Sequence, residues 1–211
     1  GFVGDDQPHV SRVAEDAGET FKHAGRAAEH LGEPVRNYGV SSFSVYQAYL
    51  RMKREEVKTP AEYIIFNIFD DDHQRNLSSW QRINLVRNTF LAQPSVPFVT
   101  VDRRAVTFVE TENACPTPES IYNLCDPDWV CDRFKDEFIV DMRMSYIDQG
   151  GGPGDSLARF AITHLPFRAA GLWASMCVVE KAEETATAQG KKILWVLSYN
   201  VTTVAQTLND G

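Results

Sequence analysis

The sequence predicts an α/β protein with helical layers on both sides of a parallel sheet, a three-layer arrangement, and two stretches carry that prediction. Residues 34–69 spell strand, helix and strand within a compact span, the pattern of a βαβ crossover. The stretch 169-AAGLWASMCVVEKAEETATAQG-190 is an alanine-rich helix that leads into the apolar strand 193-ILWVLSYN-200. Strands that follow helices, twice in one chain, fit this fold class. A chain of 211 residues makes one domain, or one domain with an insertion. It buries roughly 70% of its unfolded surface and needs no metal or disulfide staple to fold.

The elements follow from the residues in order. Residues 1–18 are polar and irregular, with turns at Gly4-Asp5-Asp6 and Pro8. From Glu19 to His30, Phe21, Ala24, Ala27, Ala28 and then Leu31 recur at helical spacing, which predicts a helix ending at Gly32. Pro34 excludes helix, and residues 35–38 read as a short strand. The segment 41-SSFS-44 opens the helix 45-VYQAYLRMKREEV-57, whose Val45, Ala48, Tyr49, Met52 and Val57 form one apolar face. Thr59-Pro60 breaks it, and 63-YIIFNIF-69 is the central strand. Val201 to Leu208 begins another helix-like run.

The middle departs from this alternation. Val99, Val101, Val106, Phe108 and Val109 mark two short strands around a turn at Asp102 to Arg104. Pro116, Pro118 and Pro127 come next, with a helix expected at 119–124, a second acidic run at Asp136-Glu137 and a flexible loop at Gly150 to Gly154. Residues 95–150 therefore form an insertion or excursion from the sheet, placed to cover or shape a site.

Charge and cysteine usage narrow the function classes. The 21 Lys and Arg against 29 Asp and Glu leave a net charge of -8, which argues against a nucleic-acid backbone or anionic membrane as partner. No apolar run is long enough to span a bilayer, and no signal peptide is evident. The chain opens at Gly1 rather than methionine, so a processed or truncated N-terminus stays open, and the compartment with it. Cys125 and Cys131 stand too far apart for a CxxC pair, without a nearby histidine. An oxidising compartment would allow a disulfide among Cys115, Cys125 and Cys131; otherwise these and Cys177 are free thiols, buried or nearly so.

The chemistry concentrates where the central strand ends, in 69-FDDDHQRN-76. Three acids and a histidine repel one another there unless water, a metal, a basic partner or a substrate compensates them. Ligands sit beyond the carboxyl ends of strands in open α/β sheets. Asp70, Asp71, Asp72 and His73 suit a metal site, a histidine base oriented by a carboxylate, or a donor to a developing oxyanion. Ser41, Ser42 and Ser44 stand where a hydroxyl could be activated, but capping by Ser42 or Ser44 is the simpler role. Gly39 has no side chain to keep a ligand from its N–H. His9, His23 and His30 lie in a polar loop and on a partly exposed helix; His164 is the best distant base.

Taken together, 37-NYGVSSFSVYQAYLR-51 and 69-FDDDHQRN-76 resemble the SGNH, or GDSL-type, hydrolases. The resemblance implies a flavodoxin-like α/β/α fold and hydrolysis of acyl esters of small molecules or carbohydrates, with no cofactor. Gly39 matches the family's oxyanion glycine. By position Asp71 falls on the asparagine of the GxND block and Asp72 on its aspartate, with His73 beside them. Asp71 is a departure, because an ionised carboxylate has no donor for an oxyanion. The family's serine block and final DxxH are absent from residues 1–211. Gly1-Phe2-Val3-Gly4-Asp5-Asp6 resembles the stretch just after the serine block, so the first strand and the nucleophile are expected upstream, with another segment or chain completing the sheet. The alternatives are a non-catalytic binding protein on the same fold and a metal-assisted hydrolase using Asp70 to His73.

Overall fold

The structure, a computed structural model, describes residues 26, 29–30, 32, 34–40, 43–58, 60–69, 72–79, 95–102, 107–137, 140, 144–145, 147–150, 152 and 165–198. The chain divides into two compact units, Gly1–Val40 and Ser41–Gly211. In the first unit, Arg26, Glu29 and His30 are helical and exposed. Gly32 has φ +69°, a left-handed conformation suited to the residue after a helix. Most of the helix expected at 19–30 lies outside the described residues. Residues 35–38 are not the strand that the sequence suggests, because residues 34–40 carry no regular structure. The Asn37 side chain takes the Gly39 N–H at 2.8 Å, so a local turn occupies a donor that a ladder would need.

The second unit holds the elements that position the site. They are α1 (Val45–Lys58), β1 (Tyr63–Phe69), α2 (Asp72–Arg75), β2 (Phe98–Asp102) and β3 (Thr107–Thr111), a 3-10 helix (Glu119–Cys125), α3 (Pro127–Phe134), α4 (Leu165–Ala188) and β4 (Lys192–Ser198). A reciprocal box opens α1. Ser44 Oγ accepts from the Gln47 N–H at 3.2 Å, and Gln47 Oε1 accepts from the Ser44 N–H at 3.1 Å. The capping role expected for Ser44 is therefore observed. Ser41 and Ser42 lie outside the described residues.

Helix α4 ends as its glycine predicts. Gly190 has φ +68°, its N–H donates to the Thr187 carbonyl at 2.9 Å, and the Lys191 N–H donates to the Ala186 carbonyl at 2.9 Å. These paired bonds form a Schellman turn that satisfies the last carbonyls and aims the chain into β4.

β1 and β4 are parallel neighbours, in register from Tyr63 opposite Lys192 to Phe69 opposite Ser198. β2 and β3 form a separate antiparallel hairpin, as the sequence suggests for the excursion, with Phe98 opposite Thr111. The 3-10 helix occupies the place of the helix expected at 119–124.

One core joins α1, β1, β2 and α4. Ala170, Ala174, Val178 and Ala182 of α4 line up at i,i+4 spacing and are buried, and their small size lets the helix lie close to its neighbours. Phe66 and Ile68 turn into this core, where Phe66 meets Trp195 at 5.0 Å between ring centroids. On the other face of the sheet Tyr63, Ile65, Phe69 and Leu194 are exposed, Ile65 by 55% and Leu194 by 60%. The architecture is α/β with a small parallel sheet. Among the described residues, one face of that sheet is covered.

All four cysteines are free. Cys115 is buried, but Cys125 and Cys131 are exposed, against the expectation of buried or nearly buried thiols. Both sit on short helical elements of the excursion, the 3-10 helix and α3, in which Phe134 is the one buried residue. No helix among the described residues is long and apolar enough to cross a membrane.

Candidate functional site

β1 ends at Phe69 and α2 starts at Asp72, so Asp72 and His73 come shortly after the carboxyl end of a parallel strand. Asp70 and Asp71 lie outside the described residues, as does His164. The Asp72 carboxylate faces back into the turn. Its Oδ2 accepts from the Phe69 N–H at 3.0 Å and its Oδ1 from Arg75 Nη1 at 2.6 Å. Asp72 therefore closes the strand-to-helix turn and neutralises Arg75, a half-buried ion pair.

His73 faces another way. Its Nδ1 lies 2.7 Å from Ser175 Oγ on α4, so a hydroxyl, not a carboxylate, orients the ring at that atom. Among the described residues, no group of three or more His, Cys, Asp or Glu side chains is placed to hold a metal. Asp72 and His73, adjacent in α2, direct these contacts to different elements.

Behind them is a polar cluster that the sequence did not single out. Asn76 is fully buried. Its Oδ1 accepts from the Tyr46 N–H of α1 at 2.9 Å, and its Nδ2 donates to Ser175 Oγ at 2.9 Å. Its carbonyl accepts from the Val99 N–H of β2 at 2.8 Å. One asparagine thus ties α1, α2, β2 and α4 together. Gln47 adds a second tie, donating from Nε2 to the Pro97 carbonyl at 3.2 Å. Gly171 completes the fit: a Cβ there would lie 2.8 Å from the His73 carbonyl oxygen, so α2 and α4 approach at backbone distance.

The excursion also reaches this region. Ser79, fully buried, donates its hydroxyl to Glu137 Oε1, while the other carboxylate oxygen of Glu137 is buried without a hydrogen-bond partner. Burial pushes the Glu137 carboxyl above its ordinary range, opposed by the Ser79 hydroxyl and N–H and by the charge of Arg133. Tyr46 is likewise raised, chiefly by burial and then by Glu110, whose Oε2 accepts from the phenol at 3.4 Å. Gly39, in the other unit, donates its N–H to Asn37 Oδ1 at 2.8 Å. It would address a ligand only after that turn opened.

Ser175 and Ser79 are residues that sequence reasoning missed, and Asn76 and Glu137, though inside acidic runs it marked, were given no role there. The available signal was Gly171 and Ser175, four apart in a helix otherwise lined by alanine and valine. Chemically, the arrangement offers a histidine ring pinned at Nδ1, a carboxylate spent on its own turn, and a rigid support behind both. No family model matches the chain, and neither the curated proteins nor the solved structures include a match.

Proposed function

We propose that this chain belongs to an acyl-ester hydrolase of the SGNH type, acting on a small-molecule or carbohydrate ester through a serine nucleophile outside residues 1–211. On this reading the full fold is the three-layer flavodoxin-like one, and another segment or chain completes the sheet. The observation that supports it best is the position of Asp72 and His73, at the start of α2 shortly after the carboxyl end of a parallel strand. The apolar sheet face left open by β1 and β4 is a second support, because parallel sheets are ordinarily covered on both faces. The serine attacks the ester carbonyl, a histidine passes the proton to the leaving alcohol, and N–H donors hold the oxyanion. Gly39 supplies one such donor once its turn with Asn37 opens, and Asp71 and Asp72 stand at the GxND positions. No cofactor enters this chemistry.

The test is the intact gene product, offered p-nitrophenyl acetate and a fluorophosphonate probe. Turnover, with the probe mapped to a serine outside residues 1–211, is the expected result. An intact mass matching 211 residues, with neither turnover nor a labelled serine, overturns the reading. That outcome favours the second reading, a non-catalytic binding protein whose partner covers Tyr63, Ile65, Phe69 and Leu194. A divalent metal that raises the melting temperature, with the shift lost in His73→Ala, would point instead to metal-assisted hydrolysis.

A further inference from the structure

One sequence triplet conflicts with where the fold puts it. Asn76-Leu77-Ser78 reads N-x-S, the acceptor pattern for N-linked glycosylation, which marks a surface loop in a secreted protein. In this chain the whole triplet is interior: Asn76 and Ser78 are fully buried and Leu77 is 1% exposed. Both ends of the Asn76 amide are in use. Oδ1 accepts from the Tyr46 N–H at 2.9 Å, and Nδ2 donates to Ser175 Oγ at 2.9 Å. The backbone beside it is closed as well, because the Asn76 carbonyl takes the Val99 N–H at 2.8 Å and the Ser79 carbonyl takes the Val96 N–H at 2.7 Å. Glycosylation forms a C–N bond at Nδ2 while the sugar–oxygen bond to a lipid pyrophosphate breaks and one amide proton leaves. The transfer acts on the chain as it enters the lumen, before it folds, so burial in the native state gives no protection. A glycan on Nδ2 would have to fit among α1, β2 and α4, against an amide that solvent does not reach.

We propose that this chain matures outside the N-glycosylating secretory lumen, because a glycan at Asn76 and the native core exclude each other. The triplet that reads as a modification signal is a packing signal: the asparagine is there for its bonds to α1, β2 and α4. A separate observation agrees. All four cysteines are free, and Cys125 and Cys131 stand exposed on the 3-10 helix and α3. Exposed thiols persist where the compartment keeps them reduced, whereas in an oxidising lumen they pair or oxidise. The inference goes beyond the acyl-hydrolase reading and does not depend on it. It narrows where a substrate or partner of this chain is met, which is the compartment in which the core can form.

The test is the intact gene product made in cultured eukaryotic cells twice, once in the cytosol and once behind a cleavable secretory leader. Monodisperse and aggregated fractions are separated, deglycosylated enzymatically in heavy-oxygen water, which turns a glycosylated asparagine into labelled aspartate, and digested with trypsin. The peptide 76–82 then reports Asn76 alone. Asn200-Val201-Thr202 is a second N-x-S/T triplet, outside the described residues, and is read on a different peptide. The expected result is a label at Asn76 confined to the aggregated lumenal fraction. Ser78→Ala removes the triplet but keeps Asn76, and should raise the monodisperse lumenal yield several-fold relative to the cytosolic yield of the same variant. A monodisperse lumenal protein glycosylated at Asn76 overturns the inference, and so does an Asn76 left bare in every lumenal fraction. If Ser78→Ala folds in neither compartment, the wild-type peptide masses decide alone. None of these readouts needs ester turnover.

Discussion

Asn76 is uncharged, yet its side chain and carbonyl serve three elements at once, accepting from Tyr46 and Val99 and donating to Ser175. Asn76→Ala would leave the Tyr46 N–H buried without its acceptor, at a cost of about 1–3 kcal/mol in urea denaturation. A loss no larger than about 0.5 kcal/mol, the surface-substitution range, would show that the cluster is slack. Glu137 makes the opposite kind of contribution. Burial raises its carboxyl, so the fold prefers the protonated form. Stability from this group is therefore full below the unfolded-state value and declines as pH rises toward the raised folded one. Glu137→Gln should flatten that decline in melting temperatures measured across the acid range. Identical pH profiles for wild type and variant would remove Glu137 as its source.

Two pieces of helix geometry decide how the site is held. Helix α4 runs 24 residues, long enough for its first half to support α2 while its end delivers the chain to β4. At its C-terminal turn, Lys191 forms an ion pair with Glu56 of α1 that is nearly buried on both sides. Gly171 sets the spacing to α2. Gly171→Ala should gain about 1 kcal/mol of helix propensity and lose about 1–3 kcal/mol to overpacking. The atom in the way is the His73 carbonyl oxygen, which no side-chain rotation can move aside. A net loss of roughly 1 kcal/mol is expected by thermal denaturation. A more stable variant would mean that the two helices stand farther apart than the structure places them.

Among the described residues the parallel sheet has two strands, β1 and β4, and its outer face exposes aromatic and aliphatic side chains. The 211-residue chain should therefore enhance the fluorescence of an apolar dye. Ile65→Lys combined with Leu194→Lys should lower that signal while leaving the melting temperature nearly unchanged, since both side chains already face water. A wild-type chain that does not bind the dye would show that the face is covered in solution. On the proposed function, whatever segment or chain completes the sheet should suppress dye binding in the same way.

The apolar face of α1 as far as Met52, the run from Ile64 to Phe69, the alanine stripe of α4 and the β2–β3 pairing were legible in the sequence, whereas Val57, expected on that face, lies in the last turn of α1 and is 82% exposed. Each is written in residues a few positions apart, and local periodicity determines whether a segment prefers helix or strand. The Ser44 cap and the Gly190 stop were legible for the same reason. The strand neighbour of β1 was not, because pairing depends on which distant segment the folded chain brings alongside; β4 is that neighbour, and residues 35–38 turn on themselves instead. The site divided along the same line. Asp72 and His73 were marked by their clustering after an apolar strand. Their hydrogen-bond partners were not, because Tyr46 and Ser175 lie 30 and 99 positions from Asn76. Only tertiary packing brings a backbone N–H, an amide, a hydroxyl and an imidazole together from such distant positions.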